Sequence, residues 1–280
     1  MSVVLQTTPI PFKFNSEEGW ALCRKILGSK LPFSPHDYQL EGVTRILDGE
    51  DVLAIMATGS GKSAYIYMPI LVIQAIKEDL ALCRHTNLPS NPVVIVVVPT
   101  TALEEDQEAK LNKMGVAALT INSITVKEPT ESEPSIWTAA KTDPAVILVS
   151  PEMLSTDPFR TLLAKTEFRS RLFAIVIDEI HLLTTWGETF RPTYEQIAYV
   201  RERIPSSVNF IGLTATLRPG EHMDGICKHA RFKSGYHLIR RSNARPEIQF
   251  IIRPFHANYA SHSFPQLDWV FQVDGLVVIC

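Results

Sequence analysis

Five short runs of apolar, mostly β-branched residues recur along the chain, separated by longer stretches with helical character. The strands that they predict are 51–56, 93–98, 145–149, 172–177 and 209–213. Several of them are apolar at every position instead of alternating with polar residues, which is typical of strands covered on both faces. The pattern predicts an α/β fold, in which a mostly parallel sheet carries helices on both faces.

The intervening stretches contain two well-marked helices and two loops. Residues 103–114 are amphipathic, with Thr101 as a candidate N-cap, and 192–203 begin with proline in the first turn. Residues 84–92 and 127–135 are polar and contain two prolines each, so we expect loops or insertions there.

The distribution of these patterns predicts three parts of the chain. We expect an N-terminal extension over 1–30 and one large domain over 31–253. The composition becomes aromatic and irregular after 253, and residues 276–280 again have the pattern of a buried strand. We therefore expect 254–280 to be a connector and the first strand of a second domain that the chain only begins.

Composition excludes several classes of protein. With 280 residues and 45% hydrophobic content the chain can bury a sizeable core, but no apolar run approaches the roughly 20 residues of a membrane span. The first residues do not resemble a secretory signal, and the four cysteines form no C-x-x-C pair. We expect a soluble intracellular protein with reduced, mostly buried thiols. The net charge of −3 does not indicate a nucleic-acid binder, so such a function must come from local motifs.

A glycine-rich turn follows the first predicted strand and precedes a helical stretch. In residues 57–63, Gly59 and Gly61 allow backbone N–H groups to approach phosphate oxygens, while Lys62 reaches the β- and γ-phosphates. The Ser63 hydroxyl can bind Mg²⁺. The general pattern has glycine where this chain has Met56. The alternative is a glycine turn with a surface lysine, but the strand before and the helix after it favour nucleotide binding.

Two adjacent acids end the fourth predicted strand. Parallel strands deliver such side chains to the carboxyl edge of the sheet, where open α/β folds bind ligands. Asp178 is a candidate Mg²⁺ ligand and Glu179 a candidate base that orients and deprotonates the attacking water. Solvated charges at a strand end are the alternative.

These residues resemble those of superfamily 2 helicases. Residues 57–63 and 178–181 are similar to motifs I and II, and 186–194 (WGETFRPTY) resemble the aromatic-rich loop W-G-x-x-F-R-P-x-Y of RecQ helicases. Further segments resemble motifs Ia, Ib and III, at 99–107, 150–152 and 213–216. The resemblance covers about 30–252 and implies a RecA-like P-loop NTPase domain, in which Met56 also matches.

The resemblance implies an ATP-dependent DNA helicase with 3′-to-5′ polarity that uses ATP and Mg²⁺. The implied cofactor-binding residues are Gln39, Thr58, Gly59, Ser60, Gly61, Lys62 and Ser63. The implied metal ligands are Ser63 and Asp178, and the catalytic residues are Lys62, Asp178 and Glu179. The residues expected to contact nucleic acid or to couple it to ATP are Thr101, Ser150, His181, Trp186, Phe190, Arg191, Thr214 and Thr216.

Several roles keep an alternative. Trp186 and Phe190 lie among polar residues, which favours stacking on single-stranded bases, but local packing under the loop is the other reading. Thr101 either contacts the nucleic-acid backbone or caps its helix, and His181 either couples motifs or is structural. The chain departs from the family at His36, where arginine is usual, and at Ile180, where alanine is usual.

Two other functions fit the same motifs. A catalytically weak, nucleotide-dependent nucleic-acid-binding fragment follows if the second RecA-like domain is missing, because that domain would carry the transition-state arginine. An RNA helicase shares both ATP motifs, although the 186–194 loop favours DNA. The family resemblance further implies partners in DNA repair or recombination and a nuclear location.

Overall fold

The computed structural model describes residues 12–83, 86–127, 135–185, 191–244 and 248. Residues 1–243 form one compact unit and 244–280 a second one. The architecture described here is that of the first unit. The strand expected at 276–280 lies outside the described residues.

Seven parallel strands form one sheet, in the order β3-β4-β2-β5-β6-β1-β7. Their bounds are β1 Val52–Ile55, β2 Val93–Val97, β3 Ala118–Ile121, β4 Val146–Val149, β5 Leu172–Ile177, β6 Asn209–Thr214 and β7 His237–Arg240. All five predicted strands are present, as β1, β2, β4, β5 and β6. The predicted α/β fold with a parallel sheet is therefore confirmed.

The described part of the chain also contains ten α-helices and one 3-10 helix, and the first two α-helices precede β1. The helices are α1 Glu17–Lys30, α2 Asp37–Leu47, α3 Ala64–Glu78, α4 Thr101–Lys113, α5 Ile136–Ala139, α6 Asp157–Ala164, α7 Thr166–Arg171, α8 Leu182–Thr185, α9 Arg191–Arg203 and α10 Glu221–His229. The 3-10 helix spans Pro151–Ser155. The helices predicted at 103–114 and 192–203 are α4 and α9. The N-cap position of α4 is Thr100, whose side chain makes no capping hydrogen bond, so the prediction of Thr101 as the cap is wrong.

Side chains that alternate along each strand enter two separate cores, one on each face of the sheet. In β2, Val94 and Val96 pack with α1 to α4, whereas Ile95 and Val97 pack with α5 to α10. Because every position of β2 is buried against one core or the other, the strand is apolar throughout. The uninterrupted apolar runs in the sequence have this physical cause.

Helix α1 belongs to the first of these cores, although the sequence predicts only an extension there. Ser16 caps it by accepting a hydrogen bond from the Gly19 N–H, and Cys23 and Leu27 are completely buried against the neighbouring helices. Cys23, Cys83 and Cys227 are buried, as expected. Within the described ranges, no helix combines the length and apolar character that crossing a membrane requires.

The loops that follow β1, β5 and β6 meet at the carboxyl edge of the sheet. Backbone hydrogen bonds continue beyond the strands themselves, from Met56 N to Thr214 O and from Ile180 N to Leu213 O, each 3.0 Å long. The residues after these three strands are thereby held beside one another. This edge contains the residues that the sequence singles out.

Candidate nucleotide-binding site

The phosphate loop joins β1 to α3 in a conformation that depends on glycine. Gly59 and Gly61 both have φ +82°, a left-handed value that other residues adopt only with strain. Lys62 Nζ donates to the carbonyl oxygens of Met56 at 3.2 Å and Ala57 at 3.3 Å. Thr58 and Ser63 are exposed. A triphosphate oxygen, being charged, is a better acceptor for Lys62 than either carbonyl.

Residues at the start of α2 brace this loop from one side. Gln39 is 4% exposed, its Oε1 accepts from His36 N at 2.9 Å, and its Nε2 donates to Gly61 O at 3.2 Å. The Tyr38 hydroxyl donates to Ser60 O at 2.9 Å. The Gln39 amide can still make one hydrogen bond at each end, so adenine recognition by Gln39 stays a prediction.

The acidic pair follows β5 at the same edge. Asp178 Oδ1 accepts from the backbone N–H of Glu179 and Oδ2 accepts from Gln107 Nε2, both at 3.0 Å. Glu179 has φ 48°, an uncommon value for a residue with a side chain. Backbone strain of this kind concentrates at functional sites, and here it directs the candidate base.

The electrostatics link the acidic pair to the phosphate loop. Burial raises the pKa of Asp178, while its hydrogen bonds and the charge of Lys62 oppose the shift. Burial and then the charge of Asp178 raise the pKa of Glu179, and Lys62 again opposes. Because one ammonium group acts on both carboxyl groups, Lys62, Asp178 and Glu179 belong to a single site.

The two loops do not follow neighbouring strands. β6 lies between β1, which leads into the phosphate loop, and β5, which leads into the acidic pair. The loops still lie close together, because β1 and β5 both pair with β6 and the residue after β1 and the acidic loop both bond to its end.

A polar network ties the acidic loop to the end of β6. His181 Nδ1 lies 2.9 Å from Thr214 Oγ1 and 3.2 Å from Glu179 Oε2. Thr214 Oγ1 also accepts from the backbone N–H of Thr216 at 3.2 Å. Burial lowers the pKa of His181, which favours the neutral imidazole. The structure thus brings together the three residues predicted to couple motifs II and III.

The structure describes only some of the residues that were predicted to contact nucleic acid. Thr101 is the first residue of α4 and is partly exposed. Ser150 is 3% exposed, and its Oγ has no hydrogen-bond partner among the described residues. Its contact with nucleic acid stays a prediction. Trp186 and Phe190 lie outside the described residues. Arg191 begins α9, and only its backbone is described.

Three residues at the site were not assigned a role from the sequence. Gln107 contacts Asp178 from α4, and Tyr38 contacts the phosphate loop. Arg241, directly after β7, donates its N–H to Ile55 O at 2.9 Å and places its guanidinium 5.2 Å from the Tyr38 ring centroid. Gln107 falls within the segment similar to motif Ia, and this similarity could have identified it from the sequence. No sequence motif pointed to Arg241.

The residues fit a Mg²⁺-bound nucleoside triphosphate. The glycines open backbone N–H groups to an anion, Lys62 supplies a cation, and Asp178 with the Ser63 hydroxyl offers the hard oxygen ligands that Mg²⁺ prefers. No group of three or more His, Cys, Asp or Glu in the described ranges could hold a metal alone. Mg²⁺ sites completed by substrate phosphates and water need only one or two carboxylates.

A parallel sheet with a phosphate loop and an acidic pair at its carboxyl edge defines a RecA-like P-loop nucleotide-binding domain. The family model of the DEAD/DEAH box helicases matches residues 36–223. The chain belongs to that family.

Its curated relatives are helicases much longer than the chain. It is 30% identical to the ATP-dependent DNA helicase hus2/rqh1 of Schizosaccharomyces pombe over 217 residues, 77% of this chain and 15% of that protein. It is 29% identical to the putative ATP-dependent RNA helicase R290 of Acanthamoeba polyphaga mimivirus, over 89% of this chain and 40% of that protein. It is 28% identical to the ATP-dependent DNA helicase RecQ of Haemophilus influenzae, over 76% of this chain and 30% of that protein. The chain therefore spans less than half of each of these relatives.

Solved structures agree on the fold. A crystal structure of the DUF1998 helicase MrfA bound to DNA and AMPPNP matches with a TM-score of 0.55 and 22% identity, over 85% of this chain and 30% of that chain. The helicase domain of Hef from Pyrococcus furiosus matches with a TM-score of 0.53 and 19% identity, over 76% of this chain and 39% of that chain. At these identities the similarity establishes the fold alone.

Proposed function

We propose that this chain is the ATP-binding domain of a RecQ-type, ATP-dependent DNA helicase that couples hydrolysis to 3′-to-5′ movement along single-stranded DNA. One observation carries the proposal: the phosphate loop and the acidic pair lie together at the end of β6, where Met56 N bonds to Thr214 O and Ile180 N bonds to Leu213 O. DNA helicases among the relatives, and the RecQ-like pattern of 186–194, support the choice of DNA.

The side chains divide the chemistry of phosphoryl transfer between them. Lys62 and the N–H groups of the phosphate loop bind the β- and γ-phosphates, and Ser63 and Asp178 would hold Mg²⁺. When bound, the cation would neutralise part of the phosphate charge. Glu179 orients the attacking water and accepts its proton, and the raised pKa of Glu179 makes its carboxylate a stronger base.

The contact between His181 and Thr214 is suited to relay a change at the phosphates to the nucleic-acid side. Trp186 and Phe190 stack on bases in this proposal, at about 1–3 kcal/mol per base, while Arg191 contacts a phosphate. Thr101 contributes a backbone contact. A DNA helicase of this type in a eukaryotic cell would act in the nucleus, together with DNA repair or recombination proteins. Fractionation of cells that express the protein would test the nuclear location.

The test uses the purified 280-residue chain. We expect it to bind Mg²⁺·ATP, to hydrolyse ATP slowly and not to unwind duplexes, because a second RecA-like domain would supply the arginine finger, worth about 10³–10⁵ in rate. Lys62→Ala should abolish binding. Glu179→Gln should retain binding and lower hydrolysis by about 10²–10⁴. Failure to bind Mg²⁺·ATP would refute the nucleotide site, and rapid DNA-stimulated turnover would refute the need for a second domain.

A second candidate function is an RNA helicase, favoured by the match of 89% of the chain to a relative named as a putative RNA helicase. Competition between single-stranded DNA and RNA of the same sequence, measured by fluorescence anisotropy in the presence of a non-hydrolysable ATP analogue, separates the two. Tighter binding of DNA supports the first proposal, and tighter binding of RNA the second. If Glu179→Gln leaves hydrolysis unchanged, the chain is instead a nucleotide-dependent binding module.

A further inference from the structure

Two fixed donors, one on each oxygen, orient the carboxylate of Asp178. The Glu179 N–H donates to Oδ1 from within the acidic loop, and Gln107 Nε2 donates to Oδ2 from helix α4, both at 3.0 Å. A carboxylate held in this way cannot turn about its Cβ–Cγ bond without losing a hydrogen bond. Each oxygen retains a further lone pair for a cation.

Gln107 differs from the other groups that stabilise this carboxylate. Lys62 and His181 lower the pKa of Asp178 through their charges, whereas Gln107 is neutral and lowers it through a hydrogen bond. In the described ranges it is the one side chain that donates a hydrogen bond to Asp178. Its neutral amide fixes a direction and adds no charge that would compete with a metal ion.

The other end of the same amide is unsatisfied. Gln107 Oε1 is buried and accepts no hydrogen bond from the described residues. Buried amide oxygens are nearly always paired, and an exception at a functional site calls for a donor. Because the amide is one planar group, this acceptor lies beside the Asp178 carboxylate.

We propose that Gln107 is a positioning residue for the metal. It holds the Asp178 carboxylate in the orientation that binds Mg²⁺, and its free amide oxygen accepts a hydrogen bond from water that the hydrated cation brings into the site. This inference rests on the proposed function. Partners that orient a metal ligand are typically worth about 10–100-fold in metal affinity.

The experiment measures how nucleotide binding depends on Mg²⁺. A fluorescent, non-hydrolysable ATP analogue is bound to the 280-residue chain in EDTA and then over a series of Mg²⁺ concentrations. Gln107→Met keeps the approximate length of the side chain. It removes the donor to Asp178 and the amide oxygen that would accept from water. We expect the half-saturating Mg²⁺ concentration to rise about 10–100-fold, with unchanged affinity in EDTA.

Two further variants make the result specific. Gln107→Asn keeps the amide but shortens the side chain by one methylene, and we expect the same rise in the half-saturating Mg²⁺ concentration. Lys110→Ala changes an exposed residue one turn further along α4 and should match the wild-type titration. The midpoint of thermal unfolding is recorded for each variant.

A wild-type Mg²⁺ dependence in both Gln107 variants would overturn the inference. An equal loss of affinity with and without Mg²⁺, accompanied by a lower unfolding midpoint, would assign Gln107 a structural role and overturn it too. The wild-type titration is interpreted first. If it shows no Mg²⁺-dependent nucleotide binding, the proposed function fails, and the inference fails with it.

Discussion

A buried acid on α4 makes the stability of this domain depend on pH near neutrality. Glu104 is completely buried, Asn122 Nδ2 donates to its Oε2 at 2.6 Å, and its Oε1 has no partner among the described residues. Burial raises the pKa of Glu104 from 4.5 to about 7; the bond from Asn122 opposes this rise, and the charge of Glu152 adds to it. We predict that Glu104→Gln, which cannot ionise, removes this pH dependence.

The sign and size of the effect follow from the two pKa values. The folded-state pKa lies above the unfolded one, so the stability that protonated Glu104 provides is complete below 4.5 and is lost as pH rises through about 7. At about 1.36 kcal/mol per unit, the whole shift corresponds to roughly 3 kcal/mol. Between pH 5 and pH 8, the wild type should lose roughly 2–3 kcal/mol relative to the variant.

Urea unfolding of both proteins over this pH range tests the prediction. The added N–H group of glutamine has a constant cost, and the raised pKa values of Asp178 and Glu179 affect both proteins equally, so both contributions cancel in the pH-dependent difference. Asp106→Asn, an exposed change on the same helix, serves as the control and should follow the wild type. A difference between wild type and Glu104→Gln that is flat with pH would refute the reasoning.

Three other predictions concern stability, the phosphate loop and thiol reactivity. Asp51 is 1% exposed, pairs with Arg201 at 3.2 Å and accepts from two backbone N–H groups, so Asp51→Ala should lower the free energy of unfolding by about 3–5 kcal/mol in urea titrations. Gly61→Ala requires a side chain at φ +82° with its Cβ 2.5 Å from Gln39 Nε2, and should weaken nucleotide binding by about 1–2 kcal/mol in fluorescence titrations. Burial raises the pKa of Cys23 to about 12, so native protein should resist alkylation there, as mass spectrometry would show.

Each of these predictions has a matched control. Asp106→Ala removes an exposed ion pair with Lys110 and should change stability by less than about 1 kcal/mol. Gly28→Ala adds a Cβ that meets nothing within 4 Å and should leave nucleotide binding unchanged. Alkylation repeated in urea should label Cys23. Loss of stability in Asp106→Ala as large as in Asp51→Ala, an unaltered affinity in Gly61→Ala, or rapid labelling of native Cys23 would contradict the corresponding prediction.

The sequence predicts the central strands of the sheet and misses its two edges, for one physical reason. A strand buried on both faces must be apolar at nearly every position, as β2 and β5 are, and such a run is visible in the sequence. The edge strands β3 and β7 are only partly buried and contain polar residues, His237 and Arg240 among them. Their membership of the sheet depends on the neighbouring strand that they pair with, and a local pattern does not record that pairing.

The residues of the site likewise fall into those that a local sequence pattern predicts and those that depend on long-range contacts. The phosphate loop and the acidic pair are each a few consecutive residues, so their chemistry can be predicted from the sequence. Gln107, on α4, contacts Asp178, which lies 71 positions further along the chain. Glu104, also on α4, bonds to Asn122, which follows β3. Arg241 reaches Tyr38 from the far edge strand. Such contacts require the helix phase and the strand order, and neither is encoded within a single motif.

The strand order also explains why Thr214 is central to this site. β6 separates the strand that leads into the phosphate loop from the strand that leads into the acidic pair. Thr214 ends β6 and contacts both sides: its carbonyl oxygen accepts from Met56 N at 3.0 Å, and its Oγ1 lies 2.9 Å from His181 Nδ1. Movement of either loop relative to the other must therefore stretch one of two hydrogen bonds made by the same residue. A buried threonine at this position connects the two halves of the nucleotide site mechanically.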